Sequence, residues 1–262
     1  LDGLDVIGQA QTGTGKTAAF GVPLIEMLEP RGRGPQAIIL APTRELTQQI
    51  VGELQKLCRN RADVSVCGLY GGEPIDRQIR ALGRGIDIAV GTPGRVLDHI
   101  ERRTLYLGDI FHFVLDEADR MLDMGFRPGI ERIFRKLPSP HQTLLLSATI
   151  SEEIRRLARR YMHEPVELNL SRDEPSVESI QQYYISVNHD RKLELLTHLL
   201  KRDRPSQCIV FTRTKRGADR LAERLRRTVN GVAAIHGDLA QSARDRVMSA
   251  FRTGKVRIQV AT

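Results

Sequence analysis

The sequence predicts an α/β protein built from two parallel-sheet units in tandem, the second one incomplete. Short β-branched runs alternate with helical patterns along nearly the whole chain. Those runs are almost wholly apolar, and the rhythm breaks once, at a polar segment, before it restarts. An apolar run without alternation is what a parallel strand needs when helices cover both of its faces.

In the first unit the strand candidates are LDVIG, AIILAP, VSVCGLY, IDIAVGTP, FHFVLDEAD and QTLLLSAT. Helical patterns fall between and after them over Thr17–Leu28, Arg44–Leu57, Pro74–Leu82, Gly94–Glu101, Pro128–Leu137 and Glu152–Tyr161. This is the βαβ rhythm of an open parallel sheet. The Arg155–Arg160 cluster reads as a solvated helix face. Met121, Leu122, Met124 and Phe126 read as core and connection. The polar stretch SRDEPSVES then reads as a linker. The rhythm resumes with strand IQQYYISV, helix RKLELLTHLLKR, strand QCIVFT, helix KRGADRLAERLRR, strand VAAIHG, helix AQSARDRVMSAFR and strand VRIQVAT. The expected boundaries are a first unit over 1–170, a linker over 171–179 and a second unit over 180–262. The last strand has the pattern of a core strand and no helix after it. The expectation is that these residues are a fragment of a longer protein.

Composition bounds the class. With 40% hydrophobic and 27% charged residues the 262-residue chain has the make-up of a globular protein. No apolar run approaches the roughly 18 residues that span a bilayer, and the first residues lack the flanks of a signal peptide. Three cysteines, Cys58, Cys67 and Cys208, have no metal-like spacing. They are expected to be buried thiols in a reducing compartment, which points to the cytoplasm. The net charge of +8 is unevenly placed. Residues 1–170 balance 22 basic against 22 acidic side chains, so the remaining 18 basic and 10 acidic residues put the whole excess in the last third. A basic module attracts phosphate backbones, although Arg-rich helices are also ordinary solvated faces.

Two motifs carry chemistry. AQTGTGKT, comprising Ala10, Gln11, Thr12, Gly13, Thr14, Gly15, Lys16 and Thr17, lies between a strand and a helix. Glycines in such a loop let successive N–H groups point inward at phosphate oxygens, and the helix N-terminus adds partial positive charge. Lys16 would reach the β- and γ-phosphates of ATP, and the Thr17 hydroxyl would ligate Mg2+. The strict pattern GxxxxGK[ST] has glycine where this chain has Ala10. The second motif, VLDEAD, places Asp116 and Glu117 just beyond an apolar strand. There Asp116 would hold Mg2+ through water, and Glu117 could polarise the water that attacks the γ-phosphorus. Asp119 is too far along to share that metal and is better cast in coupling to another strand end. Taken alone, these acids also fit a helix N-terminus. The phosphate loop tips the reading toward a nucleotide site.

With these motifs in place, the chain resembles the DEAD-box ATP-dependent RNA helicases of helicase superfamily 2, over essentially all of its residues. AQTGTGKT is similar to the family's motif I, where alanine at the first position is usual. PTREL (Pro42, Thr43, Arg44, Glu45, Leu46) resembles motif Ia, Gly71–Gly72 the GG element, and TPGR (Thr92, Pro93, Gly94, Arg95) motif Ib. DEAD at Asp116–Asp119 and SAT (Ser147, Ala148, Thr149) resemble motifs II and III. IVFTRTK, and HGD followed by QSAR, resemble later motifs. Thr47 stands where alanine is common, and nothing is expected to turn on it.

The resemblance implies two RecA-like domains of the P-loop NTPase type that ATP and RNA close around a cleft. It implies RNA-stimulated ATP hydrolysis coupled to local, non-processive remodelling of RNA duplexes and RNA–protein complexes. An ATP-gated RNA clamp with little unwinding stays open as an alternative, because both share these motifs. Lys16, Asp116 and Glu117 would be catalytic, and Thr17 and Asp116 would hold the metal. Asp119 and Ser147–Thr149 would couple the nucleotide to closure. RNA would meet motifs Ia, GG and Ib, together with Gln241 and Arg244 in the second unit, through backbone contacts without sequence readout. The glutamine motif, most of motif V and motif VI are absent. An arginine finger is worth about 10³–10⁵ in rate, so these residues alone are expected to be nearly inactive. Partners in ribonucleoprotein or degradation complexes would be engaged through missing tails.

Overall fold

The computed structural model describes residues 3–10, 15–29, 34–170 and 181–262. The chain divides into two compact units, Leu1–Ile180 and Gln181–Thr262. The expected linker over 171–179 lies outside the described residues, as do Gln11, Thr12, Gly13 and Thr14 of the phosphate loop.

The first unit runs β1 (Val6–Gln9), α1 (Lys16–Glu26), β2 (Ala37–Leu40), α2 (Arg44–Leu57), β3 (Val66–Leu69), α3 (Ile75–Gly83) and β4 (Ile88–Gly91). It continues through α4 (Pro93–Glu101), β5 (His112–Leu115), α5 (Ala118–Asp123), α6 (Arg127–Phe134), β6 (Gln142–Ser147), α7 (Glu152–Tyr161) and β7 (Val166–Asn169). Its seven strands form one parallel sheet in the order β3-β4-β2-β5-β6-β1-β7.

The continuous apolar runs have the cause that was expected. On β2, Ile38 and Leu40 belong to one core while Ala37 and Ile39 belong to the other, so both faces are covered. Phe113 and Val114 on β5 divide the same way. Two helices start where a side chain caps them. Thr43 is extended and its Oγ1 accepts from Leu46 N at 3.2 Å, opening α2. Ser151 does the same for Ile154 N at the head of α7. Along α7 the arginines are exposed while Ile154, Leu157 and Ala158 are buried, the solvated face that the sequence suggests. Buried Asp5 ties the strand starts together. Its two carboxylate oxygens accept from Thr143 N at 2.6 Å and His163 N at 2.7 Å.

The second unit contains α8 (Lys192–Asp203), β8 (Cys208–Phe211), α9 (Lys215–Arg226), β9 (Val232–Ile235), α10 (Gln241–Arg252) and β10 (Ile258–Ala261). Its sheet is parallel with the order β8-β10-β9, so the final strand is the central one and all four of its residues are buried. Ala218, Ala222 and Leu225 of α9 pack on it with Val232, Ile258 and Val260.

One expectation needs correction, and one strand was not foreseen. The expected strand IQQYYISV does not form over its described residues: residues 181–187 make no ladder with β8, β9 or β10, and Tyr183 and Tyr184 are exposed. Strand propensity without a neighbour to take the backbone hydrogen bonds does not make a strand. β7 was not expected, because its four residues are all exposed and leave no apolar run. Met121 and Leu122 are buried and Met124 is exposed at the end of α5, the mix of core and connection that was expected. No described helix is long and apolar enough to cross a membrane.

Candidate functional site

In a parallel sheet the loops at the carboxyl ends of the strands share one edge, where ligands bind. The strand order sorts the candidate residues along that edge. At the carboxyl ends of β1, β5 and β6, which are adjacent strands, stand Ala10 and Gly15–Thr17, Asp116–Asp119 and Ser147–Thr149. Those after β2, β4 and β3, also adjacent, carry Pro42–Glu45, Thr92–Arg95 and Gly71–Gly72. The described nucleotide candidates and the first unit's RNA candidates therefore occupy the two halves of a single edge.

On the first half, Ala10 N donates to Ser147 O at 3.0 Å and Gln9 Nε2 donates to Ala148 O at 3.2 Å, which locks the β1 loop to the β6 loop. Gly15 has φ 85° at the head of α1, with nothing within 4 Å of where a Cβ would stand. Glycine adopts that conformation without penalty. Among the described residues the α1 terminus has no side-chain cap and no acid in its first turn, which leaves its N–H groups and dipole to an anion. Lys16 Nζ donates to Ala10 O at 3.1 Å and lies 3.8 Å from Asp116 Oδ1. Burial pushes the Asp116 carboxyl above its ordinary range; the Lys16 charge pulls it down and Glu117 adds to the rise. Glu117 has φ 54° and ψ 52°, a left-handed backbone that turns the chain sharply off β5 into α5. Gly15, Lys16, Thr17, Asp116 and Glu117 line a cavity of about 230 Å³ that α2 closes with Leu46, Gln49 and Glu53.

These residues fit a nucleotide with Mg2+. No group of three or more His, Cys, Asp or Glu that could hold a metal exists among the described residues. One carboxylate and one hydroxyl suit a cation that takes its other ligands from phosphate and water.

Asp119 points to the β6 loop. Its Oδ2 accepts from Thr149 N at 3.0 Å and Thr149 Oγ1 at 2.9 Å. Asp119 N donates to Ser147 Oγ at 3.3 Å, and that hydroxyl donates to Thr149 O at 2.8 Å. Burial works against the Asp119 carboxylate, but the hydrogen bonds from Thr149 and Arg120 N outweigh it and hold the carboxyl below its usual range.

On the second half, the Arg44 guanidinium lies 5.0 Å from the centre of the Tyr70 ring, within reach of a cation–π interaction. Gln48 Nε2 also donates to the Tyr70 hydroxyl at 3.3 Å. Gly71 and Gly72 are exposed, the latter with φ 82°. Pro42 and Pro93 are buried, Gly94 is exposed, and Thr43, Glu45, Thr92 and Arg95 are half-buried. Tyr70 was not singled out from sequence; its place directly before the glycine pair was the available signal. In the second unit Gln241 and Arg244 share the first turn of α10, with Arg244 Nη1 donating to Gln241 Oε1 at 3.0 Å and Gln241 Nε2 to Asp245 Oδ1 at 2.9 Å.

Comparison with known proteins fits this layout. Residues 1–157 match the DEAD/DEAH box helicase family model, and residues 191–262 match the helicase conserved C-terminal domain. The chain is 49% identical over 262 residues to the DEAD-box ATP-dependent RNA helicase CshA of Bacillus subtilis, covering all of this chain and 53% of that protein. It thus spans about half the length of the curated relatives it matches. A DEAD box protein from the hyperthermophile Methanococcus jannaschii is 41% identical, with TM-score 0.62 over 99% of this chain and 69% of that one. Saccharomyces cerevisiae Dbp5 bound to RNA and ADP BeF3 is 33% identical, with TM-score 0.84 over 99% of this chain and 66% of that one. With an Asp-Glu-Ala-Asp strand end and a Ser-Ala-Thr loop on one sheet edge, and with this match over its first 157 residues, the chain belongs to the DEAD/DEAH box helicase family.

Proposed function

We propose that this chain forms the nucleotide- and RNA-binding core of an RNA-dependent ATPase that remodels short RNA duplexes locally. The observation that carries the proposal is the division of one sheet edge, nucleotide candidates after β1, β5 and β6 and backbone-binding candidates after β2, β3 and β4. Lys16, Gly15 and the α1 terminus hold the phosphates; Thr17 and Asp116 hold Mg2+. The bound cation neutralises charge that develops on the transferred phosphoryl group. Glu117, next to Asp116 at the mouth of the cavity, orients and polarises the attacking water. Asp119, Ser147 and Thr149 carry the state of the nucleotide from the β5 loop to the β6 loop.

The RNA half offers glycine backbone, hydroxyls and the Arg44 guanidinium, which suit sugar and phosphate and carry no base readout. The basic second unit, with Gln241 and Arg244, adds to the strand contact. Free Cys58, Cys67 and Cys208 suit the cytoplasm, where such RNA is met.

The test is equilibrium binding by the full-length protein of two unrelated single-stranded RNAs and a matched DNA, with and without a non-hydrolysable ATP analogue. Both RNAs should bind alike, more tightly with nucleotide than without, and the DNA more weakly. An Arg44→Ala variant should lose RNA affinity. Equal binding of DNA, or marked preference for one RNA sequence, would sink the proposal.

A further inference from the structure

Beside the glycine turn, α3 and α4 bury two polar side chains where an apolar one would pack more simply. Gln78 is 3% exposed and His99 fully buried. Gln78 Nε2 donates to Tyr70 O at 2.9 Å. Its Oε1 therefore faces the other way, where Arg95 Nη1 donates to it at 3.0 Å and His99 Nε2 lies 3.0 Å away. An arginine can only donate, so the amide cannot be turned round. The same logic fixes the imidazole. Nε2 carries the proton toward Gln78, and Nδ1 accepts from Thr104 Oγ1 at 2.8 Å. Burial, then the nearby Arg95 charge, keep His99 neutral and so keep this tautomer.

Arg95 also donates from Nη1 and Nη2 to Glu73 O, at 3.3 and 3.4 Å. The two residues that flank Gly71–Gly72 are thus both held by their carbonyls, Tyr70 by Gln78 and Glu73 by Arg95. Neither glycine N–H donates to an acceptor among the described residues, and both glycines are exposed.

We propose that Gln78, with Arg95 and His99, forms a clasp that fixes the Gly71–Gly72 turn in the shape that receives an RNA phosphate. Gln78 is then a positioning residue for RNA that touches no RNA, and Arg95 works from behind the turn. This rests on the reading of the β2–β3–β4 half as an RNA surface. A turn with two glycines has many conformations to lose on binding. Anchoring it at both ends removes that loss from the RNA affinity.

The test uses the full-length protein with Gln78→Met, which keeps the volume and removes both functions of the amide. Gln78→Glu keeps the acceptors for Arg95 and His99 but cannot donate to Tyr70 O. Arg44→Ala is the control. The readouts are KM for a short oligouridylate in ATP turnover, kcat at saturating RNA, and the amide NMR signals of Gly71 and Gly72. Gln78→Met should raise KM by about tenfold, the worth of a hydrogen bond to a charged group. It should also shift both glycine signals, while kcat does not fall in step. Gln78→Glu should show a smaller rise of the same kind, and it carries the test if the Met variant fails to fold. A KM within about twofold of wild type, with unshifted glycine signals while Arg44→Ala weakens RNA binding, would overturn the clasp and leave the RNA surface standing. If neither Arg44→Ala nor Gln78→Met changes RNA affinity, the RNA reading of this face fails and the clasp with it.

Discussion

Replacing Asp116 by asparagine should leave the fold as stable as before or more so, even as it removes ATP turnover. The carboxylate is 4% exposed, and its burial raises its proton affinity despite the lysine beside it. Unit charges 3.8 Å apart attract by about 4 kcal/mol at an effective dielectric near 20. That attraction offsets a desolvation cost of several kcal/mol without cancelling it. Asparagine keeps an oxygen that can accept from Glu117 N, as Asp116 Oδ1 does at 3.0 Å, and from Lys16. It discards the charge and puts an amide NH2 donor where the second carboxylate oxygen stood. Lys16→Met should act the other way. It strips the partner from a buried carboxylate and should lower stability by about 3 kcal/mol, the low end for a broken buried pair, because Asp116 can take up a proton. The double variant should recover most of that loss.

Urea unfolding of the nucleotide-free protein would measure all four forms. The native state holds the Asp116 proton more tightly than the unfolded chain does. The wild type therefore loses stability relative to Asp116→Asn as pH rises above about 4, and the gap levels off once the native carboxyl has ionised. Asp116→Asn less stable than wild type by more than about 1 kcal/mol at neutral pH would refute the reasoning.

Other predictions follow from the same contacts. Thr149→Val removes one of two donors to Asp119 Oδ2 and should cost about 1 kcal/mol after allowance for its partial exposure; nucleotide affinity should hold while RNA stimulation of turnover falls. Gly15→Ala places a side chain at φ 85° and should cost about 1–2 kcal/mol with loss of nucleotide affinity, read by titration with a fluorescent ATP analogue. His99 and His112 are both held below the ordinary imidazole value of 6.5 by burial. The unfolded chain then binds more protons below that pH, so unfolding free energy should fall as pH drops from about 6.5. A His99→Gln, His112→Gln double variant should flatten that slope.

The parts of this molecule that were legible in the sequence are those where one local cause decides. Thr43 and Ser151 cap their helices, and α2 and α7 have the bounds that the pattern predicts. The apolar runs of β2 and β5 announce a sheet covered on both faces. The acidic strand end and the described end of the glycine loop, Gly15–Thr17, are legible as candidates because their residues are consecutive. What depended on a distant neighbour was not. The strand β7 has no apolar run and exists because β1 offers its edge. Residues 181–187 have strand composition and pair with no described strand. The Gln78 clasp joins residues from 70 to 104, so no window of sequence contains it. Its one local trace was a glutamine between Ile75 and Leu82 on the buried face of α3, where spacing calls for an apolar residue.

Steady-state ATP hydrolysis by the full-length protein, alone, with RNA and with matched DNA, and with Lys16→Ala beside it, tests the central claim most directly. Turnover should rise strongly with RNA, little with DNA, and be lost in the Lys16 variant. Equal stimulation by DNA, or turnover indifferent to both, would contradict an RNA-binding half on this sheet edge.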